Sequence, residues 1–254
     1  MMLGLDLMDC AIGILAALLV GLGKGGLPGA GNLSVILMAM IFPSRESVGI
    51  LLPILICADV VAVAVYHSHT QWTHLWRLLP WTLLGVVAGA FVFQNMDDAL
   101  LTRVIGAILL LMVALTPLRK YFQQHPDELP GQRLTFKQQA FVGSTGVLGG
   151  VATMVANAAG PVIGIYLMMS RLPKFAFIGT AAWFFFIINL CKMPIQVGIG
   201  NITWASLKLS AGFGVFAVVA AMIAPRLMKW VPQHIFSFLV WLFIVVAGVK
   251  MLLF

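Results

Sequence analysis

Ten stretches almost free of charge follow one another along the 254 residues, at about 8–23, 27–42, 48–66, 75–93, 99–118, 139–155, 160–170, 175–195, 204–225 and 233–253. A helix crossing the ~30 Å hydrocarbon core of a bilayer needs about 20 apolar residues. In lipid every backbone N–H and C=O must be bonded inside its own segment, so runs of this kind fold as helices. Charged residues are 9% of the chain and apolar residues 61%, whereas a soluble domain carries roughly 25% charged residues. A water-soluble enzyme and a disordered chain are both excluded. The sequence predicts an all-α polytopic membrane protein with little left for an extramembrane domain.

The 15 Lys and Arg against 8 Asp and Glu give a net charge of +7. These bases are scattered over short connections, where they set membrane orientation. They form no basic patch with interleaved aromatics, so nucleic acid is not a predicted partner. Cys10, Cys57 and Cys191 lie in or beside apolar stretches. An odd, scattered set argues against a disulfide framework or a metal knuckle. The opening MMLGLDLMDCAIGILAALLVGLGKGG has Asp6 and Asp9 and no base before its apolar run. That is the wrong charge for a cleaved signal peptide, and the stretch reads as a retained first membrane segment.

One long polar connection, 119–138, divides the chain. It predicts a first transmembrane repeat at 1–118, a cytoplasmic linker at 119–138 and a second repeat at 139–254. The landmarks recur in order: Pro43 and Pro173 at an offset of 130, Trp72 and Trp204 at 132, and Ala30-Gly31 and Ala159-Gly160 at 129. Five segments per repeat carry the chain to the opposite side, so the second repeat enters the membrane inverted. With alternate connections assigned to two sides, ten bases fall on one side and five on the other. The richer side is predicted cytoplasmic, with both termini outside.

Each repeat opens with two short segments around a glycine-rich break, LVGLGKGGLPGAGN in the first and GGVATMVANAAGP in the second. Six glycines in the eleven residues from Gly21 to Gly31 do not hold a straight spanning helix. Pro28 and Pro161 suit the starts of the following helices. Each pair is therefore expected to form a broken or re-entrant hairpin with its tip near the midplane. Helix N-termini aimed inward there present unpaired N–H groups and about half a positive charge each. Lys24 adds a full positive charge, while Asn32 and Asn157 add amide donors, which outlines an anion site. The competing reading is that the glycines only allow tight helix packing.

Asp59 in ILICADVVAVAV and Lys192 in FIINLCKMPIQV lie inside apolar runs, where each costs about 2.5–3.5 kcal/mol on the insertion scale. Each needs a partner or water. The offset of 130 pairs Asp59 with Asn189, and Lys192 lies one turn beyond Asn189 on the same face. Three roles stay open: Asp59 carrying a coupled proton, Asp59 and Lys192 forming a structural ion pair, or Lys192 holding the anion. His67, His69 and His74 cluster in HSHTQWTH. No Cys or carboxylate stands beside them, so a solvated interfacial loop is preferred to a metal site. No catalytic triad, phosphate loop or CxxC motif is present, and neither an enzyme nor a cofactor is predicted.

At 21–43 (GLGKGGLPGAGNLSVILMAMIFP) and 153–194 (TMVANAAGPVIGIYLMMSRLPKFAFIGTAAWFFFIINLCKMP) the chain resembles the sulfite exporter TauE/SafE family, also called the 4-toluene sulfonate uptake permease family. The resemblance extends from about Asp9 to Leu252. It implies a bacterial inner-membrane protein of two similar helical halves that moves sulfite, organosulfonates or related small sulfur anions. Carried onto this sequence, the candidate site is Lys24, Gly25, Gly26, Gly29, Gly31 and Asn32 with Asn157, Ala158, Gly160 and Pro161. Asp59, Asn189 and Lys192 are expected to serve coupling or gating. The family commonly has a GGG run in each half, whereas this chain has Gly25-Gly26 and Gly149-Gly150. The expected function is a secondary transporter, an exporter by the family's name, with a small anionic substrate and protons as a candidate coupling ion. An anion channel, or an importer of other small organic anions, is the alternative.

Overall fold

The computed structural model describes residues 5–27, 30–114, 136–170, 172–227, 245 and 249. The expected segment at 233–253 apart from 245 and 249, most of the linker at 119–138, Pro28 and Gly29 lie outside the described residues. Within them the chain forms nine α-helices and no strand: α1 (Leu7–Lys24), α2 (Ala30–Ile41), α3 (Ser44–Tyr66), α4 (Trp72–Gln94), α5 (Asp98–Ala114), α6 (Phe136–Ala156), α7 (Gly160–Met169), α8 (Lys174–Gly198) and α9 (Trp204–Leu227). A single 3₁₀ turn at His67–His69 joins α3 to α4. Six helices, α1, α3, α4, α6, α8 and α9, are long and apolar enough to cross a membrane. At 1.5 Å per residue, the 12 residues of α2 and the 10 of α7 fall well short of that thickness.

The helix boundaries follow local chemistry. Asp6 caps α1 by accepting from the Asp9 N–H at 2.7 Å, as an N-cap carboxylate should. Pro43 and Pro173 precede α3 and α8 with nearly the same extended backbone, φ −50°, ψ 143° and φ −52°, ψ 150°. Each fixes the chain's entry into a long helix while its missing N–H costs nothing. At one end of the bundle Arg45 ties three helices together. Its N–H donates to Asp98 at 3.0 Å, and its guanidinium donates to the Phe93 and Met96 carbonyls at 3.0 and 2.5 Å. At the other end the Gln71 N–H donates to Thr180 Oγ1 at 2.9 Å, and Trp72 lies 5.2 Å from Trp183.

Helices from before and after residues 119–138 pack against one another. α1 packs along α9, α4 along α6, and α3 crosses both α8 and α9. Small residues make these approaches possible. A Cβ on Gly21 would run into the Ala217 carbonyl and lie 2.7 Å from Ala220 Cβ, and one on Gly25 would strike Ala224. In the other pair a Cβ on Gly85 would strike the Val147 carbonyl, and one on Gly89 would lie 2.9 Å from Met154 Cβ. Close backbone approach is what holds helices together where lipid removes the hydrophobic drive. α1 runs through Gly21 and Gly23 to Lys24, close to the end expected for the first segment, with Gly21 packed against α9 and Gly23 against the start of α2. The chain leaves the helix only at Gly25 and Gly26, the latter with φ +115°, a conformation that glycine adopts freely.

Candidate functional site

α1 ends on Lys24, and α2 starts at Ala30. A cation is favoured at a helix C-terminus, and the side chain reaches from there into the bundle. The Lys24 ammonium lies 2.7 Å from Asp59 Oδ1 on α3 and 4.3 Å from the centroid of the Phe185 ring on α8. Asp59 is wholly buried, while the Lys24 side chain keeps 15% of its surface exposed. The other carboxylate oxygen, Oδ2, accepts from Asn189 Nδ2 at 2.7 Å.

Lys192, one turn further along α8, is also wholly buried. Its ammonium donates to the Thr153 carbonyl at 2.7 Å, to Thr153 Oγ1 at 3.1 Å and to Asn157 Oδ1 at 2.6 Å, with Asn189 Oδ1 at 3.5 Å. The Asn157 amide in turn donates to the Val48 carbonyl on α3 at 3.0 Å. Lys24, Asp59, Asn189, Lys192 and Asn157 thus form one polar line through the interior, from α1 through α3 and α8 to the end of α6. A buried charge is tolerable only when paired and hydrogen-bonded. Asp59 is paired with Lys24, and Lys192 is held by hydrogen bonds to neutral oxygens.

Of the three roles left open, the ion pair between Asp59 and Lys192 is not formed. Asn189 stands between them, giving its N–H to the carboxylate and its carbonyl side to the ammonium. The partner of Asp59 is Lys24. Three contributors were missed from sequence. Thr153 lies at an offset of 129 from Lys24, so the repeat comparison carried a signal for it. Phe185 and Tyr66 carried none. Tyr66 donates from its hydroxyl to the Gly25 carbonyl at 3.3 Å, bracing the end of α1.

The helix breaks differ in chemistry. α6 ends at Ala156, and Asn157 follows with φ +52°, a left-handed conformation that Asn tolerates better than most residues. Ala158 is buried in the core, and its N–H reaches the Ala152 carbonyl at 3.4 Å. Gly160 and Pro161 open α7. The starts of α2 and α7 come together: a Cβ placed on Gly160 would lie 4.0 Å from Asn32 Oδ1. The glycines fall into two groups. Gly25 is packed against Ala224, whereas beside Gly31 a Cβ would meet nothing within 4 Å among the described residues. Among the described residues, open room therefore lies beside Gly31 at the start of α2, not at Gly25.

The three histidines part company. His74 Nδ1 is 3.2 Å from the Tyr166 hydroxyl on α7 inside the bundle. His67 and His69 sit on the exposed 3₁₀ turn, where His67 Nδ1 is 3.0 Å from the Ala64 carbonyl and His69 lies 5.5 Å from the Phe175 ring.

A sequence model of the family described as sulfite exporter TauE/SafE matches residues 13–251. No curated protein and no solved structure matches the chain.

Proposed function

The chain belongs to the sulfite exporter TauE/SafE family, and from that premise we propose that it is a secondary transporter of small sulfur-containing anions, sulfite or an organosulfonate, acting as an exporter. The observation that carries this reading is the buried line of two ammonium groups and one carboxylate beside the adjoining starts of α2 and α7. Sulfite and sulfonates hold water tightly, so a site for them must replace that water with N–H donors and positive charge. Lys24 and the N–H groups at the starts of α2 and α7 supply both.

Alternating access by two inverted repeats is the mechanism we infer. The packing supports it. If α1 is exchanged with α6, α3 with α8 and α4 with α9, the contact of α1 with α9 becomes that of α6 with α4, and both exist. The contact of α3 with α9 becomes that of α8 with α4, and both exist again. The short helices α2 and α7 are then the returning arms of two hairpins that enter from opposite faces of a bacterial inner membrane. The end rich in Lys and Arg faces the cytoplasm. In this reading Asp59 is the fixed counter-charge of Lys24.

The test is uptake and counterflow in proteoliposomes carrying the purified full chain, with sulfite, a sulfonate, sulfate and acetate. Saturable counterflow of sulfite or the sulfonate is the expected result. Conductance without counterflow would make the protein a channel, and indifference to all four anions would remove the reading.

A further inference from the structure

We propose that Lys192 carries a coupled proton, taking it up when the anion binds and returning it to water on the other side of the membrane. The inference rests on the transport reading above and deepens it.

The contacts of Lys192 suit a group that gains and loses a proton. Among the described residues no carboxylate stands within bonding distance of it, because Asp59 is taken by Lys24 at 2.7 Å and by the Asn189 amide at 2.7 Å. Three neutral oxygens surround the Lys192 nitrogen: the Thr153 carbonyl at 2.7 Å, Asn157 Oδ1 at 2.6 Å and Thr153 Oγ1 at 3.1 Å. The charged form has three N–H donors, one for each oxygen. The neutral form has two, for the carbonyl and the amide oxygen, and a lone pair that accepts from the Thr153 hydroxyl. A hydroxyl donates as well as it accepts, so both forms are bonded in the same place. Buried lysines change their protonation readily. Lys24 is held differently, by a carboxylate on one side and an aromatic ring on the other, and both favour the ammonium.

A polar stripe leads from Lys192 toward water. Asn189, Lys192 and Gln196 follow on α8 at spacings of three and four residues, share one face and are all buried. The Gln196 side-chain carbonyl accepts at 2.8 Å from Asn201, in the turn between α8 and α9. Among the described residues its amide N–H group reaches only the Met154 sulfur at 3.8 Å, a weak acceptor. A buried amide bonded so poorly has a donor to give to water.

Of the charged and titratable groups on the elements around Lys192, Asp59 on α3 and Lys24 at the end of α1 face it across Asn189. Cys57 on α3 is turned to Gly214. His74, Arg77 and Tyr166 belong with the early part of α8, where the start of α4 meets Trp183. His67 and His69 lie there too, beside Phe175. Asn157, bonded to Lys192, opens the short connection to α7. An anion held at the starts of α2 and α7 therefore favours the amine that carries the proton. On the side open to water, a hydronium ion gives its proton to the amine lone pair, an N–H bond forms and water remains. On the other side the anion leaves, that N–H bond breaks and the proton returns to water.

The experiment is calorimetric binding of methanesulfonate and of sulfate to the purified full chain in detergent, between about pH 6 and pH 9, in two amine buffers of different ionisation heat. Both anions are fully ionised over this range, so a proton taken up on binding goes to the protein. Where one proton is taken up, affinity falls by up to tenfold per pH unit as pH rises. The wild type is expected to show such a fall, with proton uptake in the same window. Lys192→Gln, which keeps a donor for Asn157 and Thr153, is expected to bind more weakly, with no proton uptake and an affinity independent of pH. PH-independent binding without proton uptake in the wild type overturns the inference whether or not the variant folds. A folded Lys192→Gln protein with the wild-type uptake overturns it as well. Absence of binding and of counterflow with every anion would instead sink the transport reading, so the two failures are told apart.

Discussion

Asp59 and Asn189 each stand fifteen residues past the first residue of a long helix, and they hydrogen-bond to each other at 2.7 Å. Two residues at equivalent positions of a repeat can touch only close to the axis that relates the repeats. Under the inverted-repeat reading, this contact marks the centre of the molecule. Lys24 lies on one side of it and Lys192 on the other, yet they arise differently: Lys24 is the last residue of α1, and Lys192 is in the body of α8. Two ammonium groups flank the centre through unrelated positions in sequence, so the charge pattern is more symmetric than the residues that make it.

The Lys24–Asp59 pair is expected to show strong coupling. Removing one partner leaves the other charge buried, which costs about 3–5 kcal/mol, while removing both is often neutral. The exposed side of Lys24 favours the low end of that range. Lys24→Met and Asp59→Leu should each lower the thermal unfolding midpoint in detergent, and the double variant should recover most of the loss. Additive losses in the double-mutant cycle would show that the pair is not coupled.

Lys24 is also expected to touch the substrate. Lys24→Ala should weaken sulfite or sulfonate binding by about tenfold to a hundredfold, matching the ~1.5–3 kcal/mol of a hydrogen bond to a charged group. Lys24→Arg keeps the charge, but its planar fork does not fit a place shaped for a compact ammonium, so it should recover only part. Equal binding by wild type and Lys24→Ala, measured by calorimetry, would take Lys24 out of the site.

The two groups of glycines should respond in opposite ways. A side chain on Gly21 meets the Ala217 carbonyl and Ala220, so Gly21→Val should destabilise by at least the ~1–3 kcal/mol typical of overpacking and reduce the yield of folded protein. Among the described residues, Gly31 faces open room. Gly31→Ala should fold normally, and its methyl group should slow transport by about tenfold, a cost of ~1.4 kcal/mol. Normal transport by Gly31→Ala would mean that the room beside Gly31 is not on the anion's path.

How far the sequence reached depended on the kind of signal. Helices α1, α3, α4, α8 and α9 were legible because a bilayer demands long uncharged runs, and such runs are plain to read. The stops at Pro43 and Pro173 were legible because proline fixes the backbone wherever it stands. Asp59 and Lys192 stood out because charge inside an apolar run needs a partner. Which partner was not legible. Pairing depends on how α1, α3 and α8 cross, and the reach of Lys24 from the end of α1 to Asp59 is set by packing against α9. For the same reason a glycine that admits a neighbouring helix, such as Gly25, and one that faces open room, such as Gly31, look alike in sequence.

Orientation can be tested with single cysteines in a background lacking Cys10, Cys57 and Cys191. Asn95 and Thr203 are exposed at the end of the bundle where α4 finishes and α9 starts, and Ser68 is exposed at the opposite end. Thr203 is preferred to Asn201, whose side chain is buried and donates to Gln196 at 2.8 Å. Cysteines at 95 and 203 should react with a membrane-impermeant thiol reagent added outside intact cells, and one at 68 should react only after permeabilisation. Labelling of 68 alone from outside would reverse the orientation.

Asp59 leaves two roles to separate, a fixed counter-charge and a carrier of protons. With its carboxylate 2.7 Å from the Lys24 ammonium and no exposed surface, it has a cation to balance and no direct contact with water. Protonating it would leave Lys24 with the Phe185 ring in place of a counter-charge. Asp59→Asn is therefore expected to keep the wild-type response to an imposed pH gradient. The measurement is the ratio of transport rates with and without a gradient of one pH unit, in wild type and variant side by side. If the wild type is accelerated by the gradient and the folded variant is not, Asp59 is the proton carrier, and its role as a fixed charge is lost.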